Sequence, residues 1–236
     1  MSEALLYIRN NPGVVRDLVG QHLVLTGAAL GIALTIALPV SLLVYYVRWL
    51  AVPVLGLLGV LYTIPSLALI ILLIPAFGLT RTSVVIALVI YAQVVLVRNI
   101  LAGLGSVDPA TIEAARGMGM NGWQTWWRVQ FPLALPIILA GLRIAAVVTI
   151  GIAAIGAKFG AGGLGTLLFE GIATKRNDKI LAGAIVVSLL AFAVNGFVLL
   201  LERRLNPARH ARRPSERSER ARAHAELRET AQMAQG

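Results

Sequence analysis

The sequence predicts an all-α fold, a polytopic membrane bundle of about five transmembrane helices, and three observations predict it. Of the 236 residues, 58% are hydrophobic and only 14% charged, with a mean hydropathy of +0.80; a soluble domain uses roughly 45–50% apolar residues. Five apolar stretches reach the length of about 20 residues that a helix needs to cross a bilayer. None of them alternates apolar with polar residues as a membrane strand must, and in lipid only helices and closed barrels satisfy every backbone group internally.

Residues 1–21 are mixed in polarity and contain Asn10, Asn11 and Pro12. They lack the short apolar core and small-residue cleavage site of a secretory leader, so no cleaved signal peptide is expected. The first span covers 23–46, where Gly27 and Gly31 make a Gly-x-x-x-Gly spacing that permits close helix contact. The second covers 52–77 and carries Tyr62-Thr63-Ile64-Pro65-Ser66 near its middle. A proline there frees a backbone carbonyl, and neighbouring hydroxyls either re-satisfy the helix or line a water-filled path. Tyr62, Thr63, Pro65 and Ser66 are therefore candidate path residues; a kink packed against neighbouring helices is the alternative. The third span, 83–104, holds Gln93 at depth, as a further path candidate or an interhelical hydrogen bond. Arg98, Asn99 and Arg143 lie toward the ends of spans three and four, the latter covering 135–157. A charge at the bilayer centre costs about 2.5–3.5 kcal/mol, so these groups are expected to snorkel or pair. Gly160-Ala161-Gly162-Gly163-Leu164-Gly165 formally matches a dinucleotide-binding fingerprint, but that site needs a preceding strand. A membrane run precedes it here, and a glycine turn that allows close packing or a gate is expected. The fifth span covers 180–201.

The net charge of +10 is concentrated at one end: nine of the 21 basic residues are arginines after Glu202. No aromatic residue is interleaved with them, which argues against nucleic-acid binding. A basic tail after a membrane helix reads as a cytoplasmic segment facing lipid. The chain divides into a membrane domain, 1–206, and a basic, flexible tail, 207–236. An odd number of spans then puts the N-terminus outside. Arg48, Arg98, Arg116, Arg128, Arg143 and the tail arginines fall inside, and Arg9, Arg16, Arg81, Lys158, Lys175, Arg176 and Lys179 outside. With no cysteine, thiol chemistry and disulfides are excluded.

The segment 108–136 is the long polar interruption. Asp108-Pro109 is a helix start, with a carboxylate to cap and a proline suited to the first turn. Ala110 to Arg116 gives about two turns, Gly117 and Gly119 break them, and Asn121 caps a second short helix that Phe131-Pro132 ends. Ala114 and Ala115 are small enough to let another protein approach the backbone, and Glu113 can cap or pair. Trp123, Trp126 and Trp127 suit the membrane interface or a partner groove.

Glu113-Ala114-Ala115, three residues, Gly119, nine residues, then Val129-Gln130-Phe131-Pro132 resembles the EAA cytoplasmic-loop motif of inner-membrane permeases of binding-protein-dependent ABC importers, with Val for Ile and Phe for Leu. The resemblance implies that Glu113, Ala114, Ala115, Arg116, Gly117, Gly119 and Pro132 belong to a loop that couples to cytoplasmic ATPase subunits. It also implies a second permease subunit, identical or related, an extracytoplasmic substrate-binding protein, and a bacterial inner-membrane location. Five spans with an outside N-terminus resemble the methionine-importer type of permease. Residues 156–185, LYIRNNPG and QHLVLTG are similar to permeases for glycine betaine, choline or carnitine, which implies an osmoprotectant as substrate. For a quaternary ammonium solute, Tyr62 would offer an aromatic face. No Walker sequence occurs, so the chain is expected to hold no cofactor and to leave ATP hydrolysis to its partner. The alternatives are a permease for another solute such as an amino acid, an ion-coupled secondary transporter, and a scaffold that recruits a soluble protein through its tryptophans. Against ion coupling, spans one to four contain no carboxylate, and Glu202 lies only at the end of the fifth.

Overall fold

The computed structural model describes residues 2–205, and no strand occurs among the described residues. The basic tail expected over 207–236 lies outside the described residues. The elements run α1 (Ser2–Asn10), α2 (Pro12–Tyr46), α3 (Ala51–Thr63), α4 (Ser66–Phe77), α5 (Arg81–Gly105), α6 (Pro109–Gly117), α7 (Gly122–Thr125), α8 (Phe131–Gly156), α9 (Gly165–Ala173) and α10 (Asn177–Leu205).

The helix of the first span begins at Pro12 rather than near residue 23, because proline at its first position loses no hydrogen bond. At 35 residues it is about 50 Å long and overshoots the hydrocarbon layer. Its inward stripe is His22, Leu25, Thr26, Ala29, Ala33, Ala37, Ser41 and Val44, and the small residues from Thr26 to Ser41 let it lie close to α5. The Gly27/Gly31 pair does not make that contact: a Cβ at either position would meet nothing within 4 Å.

At the centre α5 packs on α8. A Cβ on Gly141 would stand 2.2 Å from Cβ of Asn99, and one on Gly156 2.4 Å from a Val84 methyl. Gly103 of α5 adds a third such contact, 2.9 Å from a would-be Cβ to the Ala134 carbonyl oxygen, and three glycines thus set the closeness of this pair. One apolar cluster joins α2, α4, α5 and α8 around Leu25, Ile70, Leu88 and Tyr91. A second joins α2, α5 and the start of α8 around Ala37, Leu96, Ile100, Leu104 and Ile138. By contrast α10 buries only Ala182, Gly183 and Val198, and its apolar remainder suits lipid or a second subunit.

The second span is not a single helix. Its halves, on either side of Ile64-Pro65, are bent by 97°. Pro65 has no N–H to donate and drives the residue before it into extended backbone, φ −67° and ψ 123° at Ile64. The chain restarts its helix with the Leu69 N–H donating to the Pro65 carbonyl, which leaves the Ile64 carbonyl open, and the Tyr91 hydroxyl donates to it.

Contacts define two poles. At one, Gln130 Nε2 donates to the Tyr45 hydroxyl at 2.8 Å, joining the start of α8 to the end of α2. At the other, the turn after α8 meets the start of α2 and the α4–α5 turn: Gly163 N–H donates to Gln21 Oε1 at 3.1 Å, and a Cβ on Gly160 would be 2.9 Å from the Leu79 carbonyl oxygen. Since α3 starts at the first pole, just after α2, and α4 ends at the second, the bent pair crosses between them. The chain therefore makes five crossings.

Candidate functional site

Between α5 and α8 the chain forms an elbow of local caps. Asp108 Oδ1 accepts the Ala110 N–H at 2.9 Å and opens α6. At its other end Gly119 N–H donates to the Arg116 carbonyl at 2.9 Å and Met120 N–H to that of Ala115 at 3.2 Å. This pair of bonds is a Schellman closure, which requires a left-handed residue where Gly119 sits, at φ +85°. The break thus belongs to Gly119 alone, while Gly117 is the last helical residue. Asn121 and Gln124 then cap α7 reciprocally, each side chain accepting the other's backbone N–H at 2.9 and 3.0 Å.

The second short helix does not end at Phe131-Pro132. Trp126–Gln130 widen into a π-turn that passes directly into α8. The ring of Pro132 would press on the carbonyl of Arg128 in a regular helix, and the extra residue in the turn relieves that conflict. Pro132 thus marks where the elbow fuses to α8.

Glu113, Ala114, Arg116, Gly117 and Gly119 are exposed, and Met118 is 73% exposed. Ala115, at 1%, is buried, so only one of the two alanines is open to a partner. The other holds α6 to the bundle, together with Ile112 and Val107 packed on the second cluster. The indoles of Trp123, Trp126 and Trp127 stack on one another, and Phe131 is stacked under Trp127 and tilted against Trp126, with centroids 5.2 to 6.1 Å apart. A cavity of about 290 Å³ separates Trp123 and Trp126 from Leu42 and Tyr46 of α2.

The path candidates do not share one environment. Tyr62, Thr63 and Pro65 are exposed at the break and Ser66 is half-buried, with Tyr62 tilted against Tyr91 at 5.6 Å. Thr63 donates back to the Val60 carbonyl at 2.7 Å, so its hydroxyl is spent on the helix end. Gln93 is buried and donates to the Ala33 carbonyl at 2.9 Å; its amide bridges α5 and α2 instead of facing the break. Arg143 pairs with Glu202 of α10 at 4.0 Å, and Arg98 is exposed.

At the opposite pole the glycine turn is pinned from two helices. Gly160, Gly162 and Gly163 all have φ between +73° and +83°. A Cβ on Gly165 would lie 1.9 Å from the Ala154 carbonyl oxygen. His22, fully buried, accepts the Leu164 N–H on Nδ1 at 3.3 Å, which leaves its proton on Nε2 for the Ile150 carbonyl at 3.1 Å. Arg81 Nε donates to the Ala161 carbonyl at 3.1 Å. No sequence signal marked His22, since its partners lie 128 and 142 residues away. Helix, not strand, precedes this turn, and it is a packing device.

A family model described as binding-protein-dependent transport system inner membrane component matches residues 27–207, the elbow included. The chain is 40% identical over 210 residues to the osmoprotectant import permease protein OsmW of Salmonella typhimurium, covering 87% of this chain and 98% of that one. It is 40% identical over 187 residues to the carnitine transport permease protein OpuCB of Listeria monocytogenes, covering 79% and 86%. With the choline transport system permease protein OpuBD of Bacillus subtilis the identity is 35% over 213 residues, covering 90% and 94%. Among solved structures, inward-facing MetNI methionine ABC transporter matches with a TM-score of 0.71 at 23% identity, covering 79% of this chain and 94% of that one. An amino acid ABC transporter with histidines matches at 0.69 and 22%, covering 84% and 97%. Those two likenesses concern the fold. By its membrane helices, its elbow and a family match over residues 27–207, the chain belongs to the binding-protein-dependent transport system inner membrane components, the multi-pass permeases of ABC importers.

Proposed function

We propose that this permease carries quaternary ammonium osmoprotectants such as glycine betaine, choline or carnitine inward, driven by ATP that a separate cytoplasmic subunit hydrolyses. The elbow docks on that ATPase through Glu113, Ala114, Arg116, Gly117 and Gly119. A second permease subunit, identical or related, completes the membrane part, and an extracytoplasmic binding protein delivers the solute. The elbow pole faces the cytoplasm, the N-terminus lies outside, and the C-terminus is inside. The chain needs no cofactor and makes or breaks no covalent bond.

The observation that carries this function is the placement of the exposed face of α6 on a rigid elbow between the two central helices. The Schellman closure, the capping box and the buried Ala115 leave little slack. A push on α6 therefore moves the ends of α5 and α8 instead of being absorbed locally. Such a push shifts the permease only if the ATPase binds its two states with different affinity. The broken span, with Tyr62 at its exposed break, is the candidate path wall, and an aromatic face attracts a methylated ammonium there. The relatives' names support the solute class.

The test is Glu113→Lys in the assembled complex. The variant is expected to insert and to retain its five crossings, but to lower binding-protein-stimulated ATP hydrolysis at least tenfold. Normal stimulation would remove the docking role.

A further inference from the structure

The fifth span holds two polar side chains, a serine and an asparagine, at the depth of its middle turns. Ser188 and Asn195 lie on α10 on either side of the middle of Asn177–Leu205, and neither side chain makes a hydrogen bond among the described residues. A polar group at that depth costs free energy against lipid and therefore faces the bundle interior, a water-filled cavity or a partner. Seven residues apart, they share one helix face with Ala191 and Phe192. Together with Val147 of α8 these residues line a groove of about 360 Å³. Phe192 is 74% exposed, so its ring face is free. The α8 wall continues through Ile144 and Gly151, both exposed one turn either side of Val147, and Arg143 pairs with Glu202 just beyond it.

We propose that this α8–α10 groove is a second wall of the translocation path and a subsite for a quaternary ammonium solute, an inference that rests on the function proposed above. The Phe192 ring takes the methylated cation, which prefers an aromatic face. The Asn195 amide and the Ser188 hydroxyl take the solute's carboxylate or hydroxyl. The groove residues carry no charge of their own, which fits a site that must release its ligand: a path has to bind well enough for entry and weakly enough for exit. Sites near the bilayer midplane also suit alternating access, since the same residues can then be exposed to either side.

The chain has no cysteine, so single substitutions report cleanly. In the complex assembled with its ATPase and binding protein, Ser188→Cys and Asn195→Cys are expected to react with a charged, membrane-impermeant methanethiosulfonate. Phe197→Cys, on the opposite face of α10, is expected to react at least tenfold more slowly. Failure of Asn195→Cys to react, or its oxidation to a symmetric disulfide across two copies, would mean that the face packs against a neighbour and would overturn the inference. Phe192→Leu is then expected to lower vesicle uptake of radiolabelled carnitine at least fivefold, with Phe192→Tyr restoring it and Leu189→Ala transporting at the unsubstituted rate. Unaltered uptake in Phe192→Leu would overturn the subsite. Should the unsubstituted complex transport none of glycine betaine, choline and carnitine while the groove still labels, the proposed solute class fails and the groove stands as a path for another solute.

Discussion

Individual residues in the elbow have assignable tasks, and two glycines two positions apart should respond in opposite directions. Gly119 occupies the left-handed region, with open space around the site of a Cβ. Gly119→Ala therefore costs the backbone strain of about 1–2 kcal/mol and no clash. Gly117 ends a regular helix, again with open space, so Gly117→Ala stabilises by roughly 0.5–1 kcal/mol. Arg116 is an exposed tryptic site on the same turn, and its cleavage follows local opening. Cleavage there is expected to quicken about tenfold in Gly119→Ala, at about 1.4 kcal/mol per tenfold, and to slow in Gly117→Ala. Equal rates in the two variants would remove the Schellman assignment. The spacing of the sequence motif carried Gly119 and its neighbours, because caps are local and their residue types are few. It did not carry the inward turn of Ala115, which depends on how α6 lies against Val107 and the second cluster. His22 was invisible for the same reason: a clamp over 142 residues leaves no periodicity.

At the scale of elements, hydropathy located all five crossings, since the need to satisfy backbone groups in lipid makes length and apolarity sufficient. Proline at residue 65 announced a kink, but not one of 97°; that angle requires the carbonyl of Ile64 to find a partner outside its own helix. Tyr91 supplies it. Tyr91→Phe removes only the hydroxyl and leaves that carbonyl unpartnered in a site where Tyr91 is 6% exposed. The expected cost is about 1–3 kcal/mol, read as a fall of several degrees in the thermal midpoint of the purified protein at roughly 2–4 °C per kcal/mol. Tyr62→Leu, at the exposed side of the same break, is expected to lower transport of quaternary ammonium solutes more than it lowers the midpoint. A midpoint unchanged in Tyr91→Phe would mean that Pro65 alone holds the bend. The π-turn at 126–130 was likewise beyond local signals: Pro132 read as a stop, and only the continuity with α8 shows why the chain widens there instead of ending.

For the whole molecule the decisive quantity is the parity of crossings, because it decides which pole carries the elbow. If the bent pair α3–α4 merely dipped into the bilayer and returned, α5 would bring the chain back to the starting side, and the elbow would share a compartment with the N-terminus. Because the end of α4 lies beside the glycine turn and the start of α3 follows Tyr45, the pair runs from one pole to the other, which is the geometry of a crossing and predicts the elbow and the N-terminus on opposite sides. The absence of cysteine makes this measurable. Gly13→Cys and Met118→Cys both sit at exposed positions. In intact cells a membrane-impermeant maleimide is expected to label Gly13→Cys at once and Met118→Cys only after permeabilisation. Labelling of both from outside would mean an even count and no access of an ATPase to the elbow; labelling of Met118→Cys alone would invert the molecule and place its basic tail outside, against the charge bias that orients membrane helices. Only the expected pattern lets a cytoplasmic engine reach α6 while the glycine turn and the start of α10 face the solute supply, which is the arrangement an importer requires.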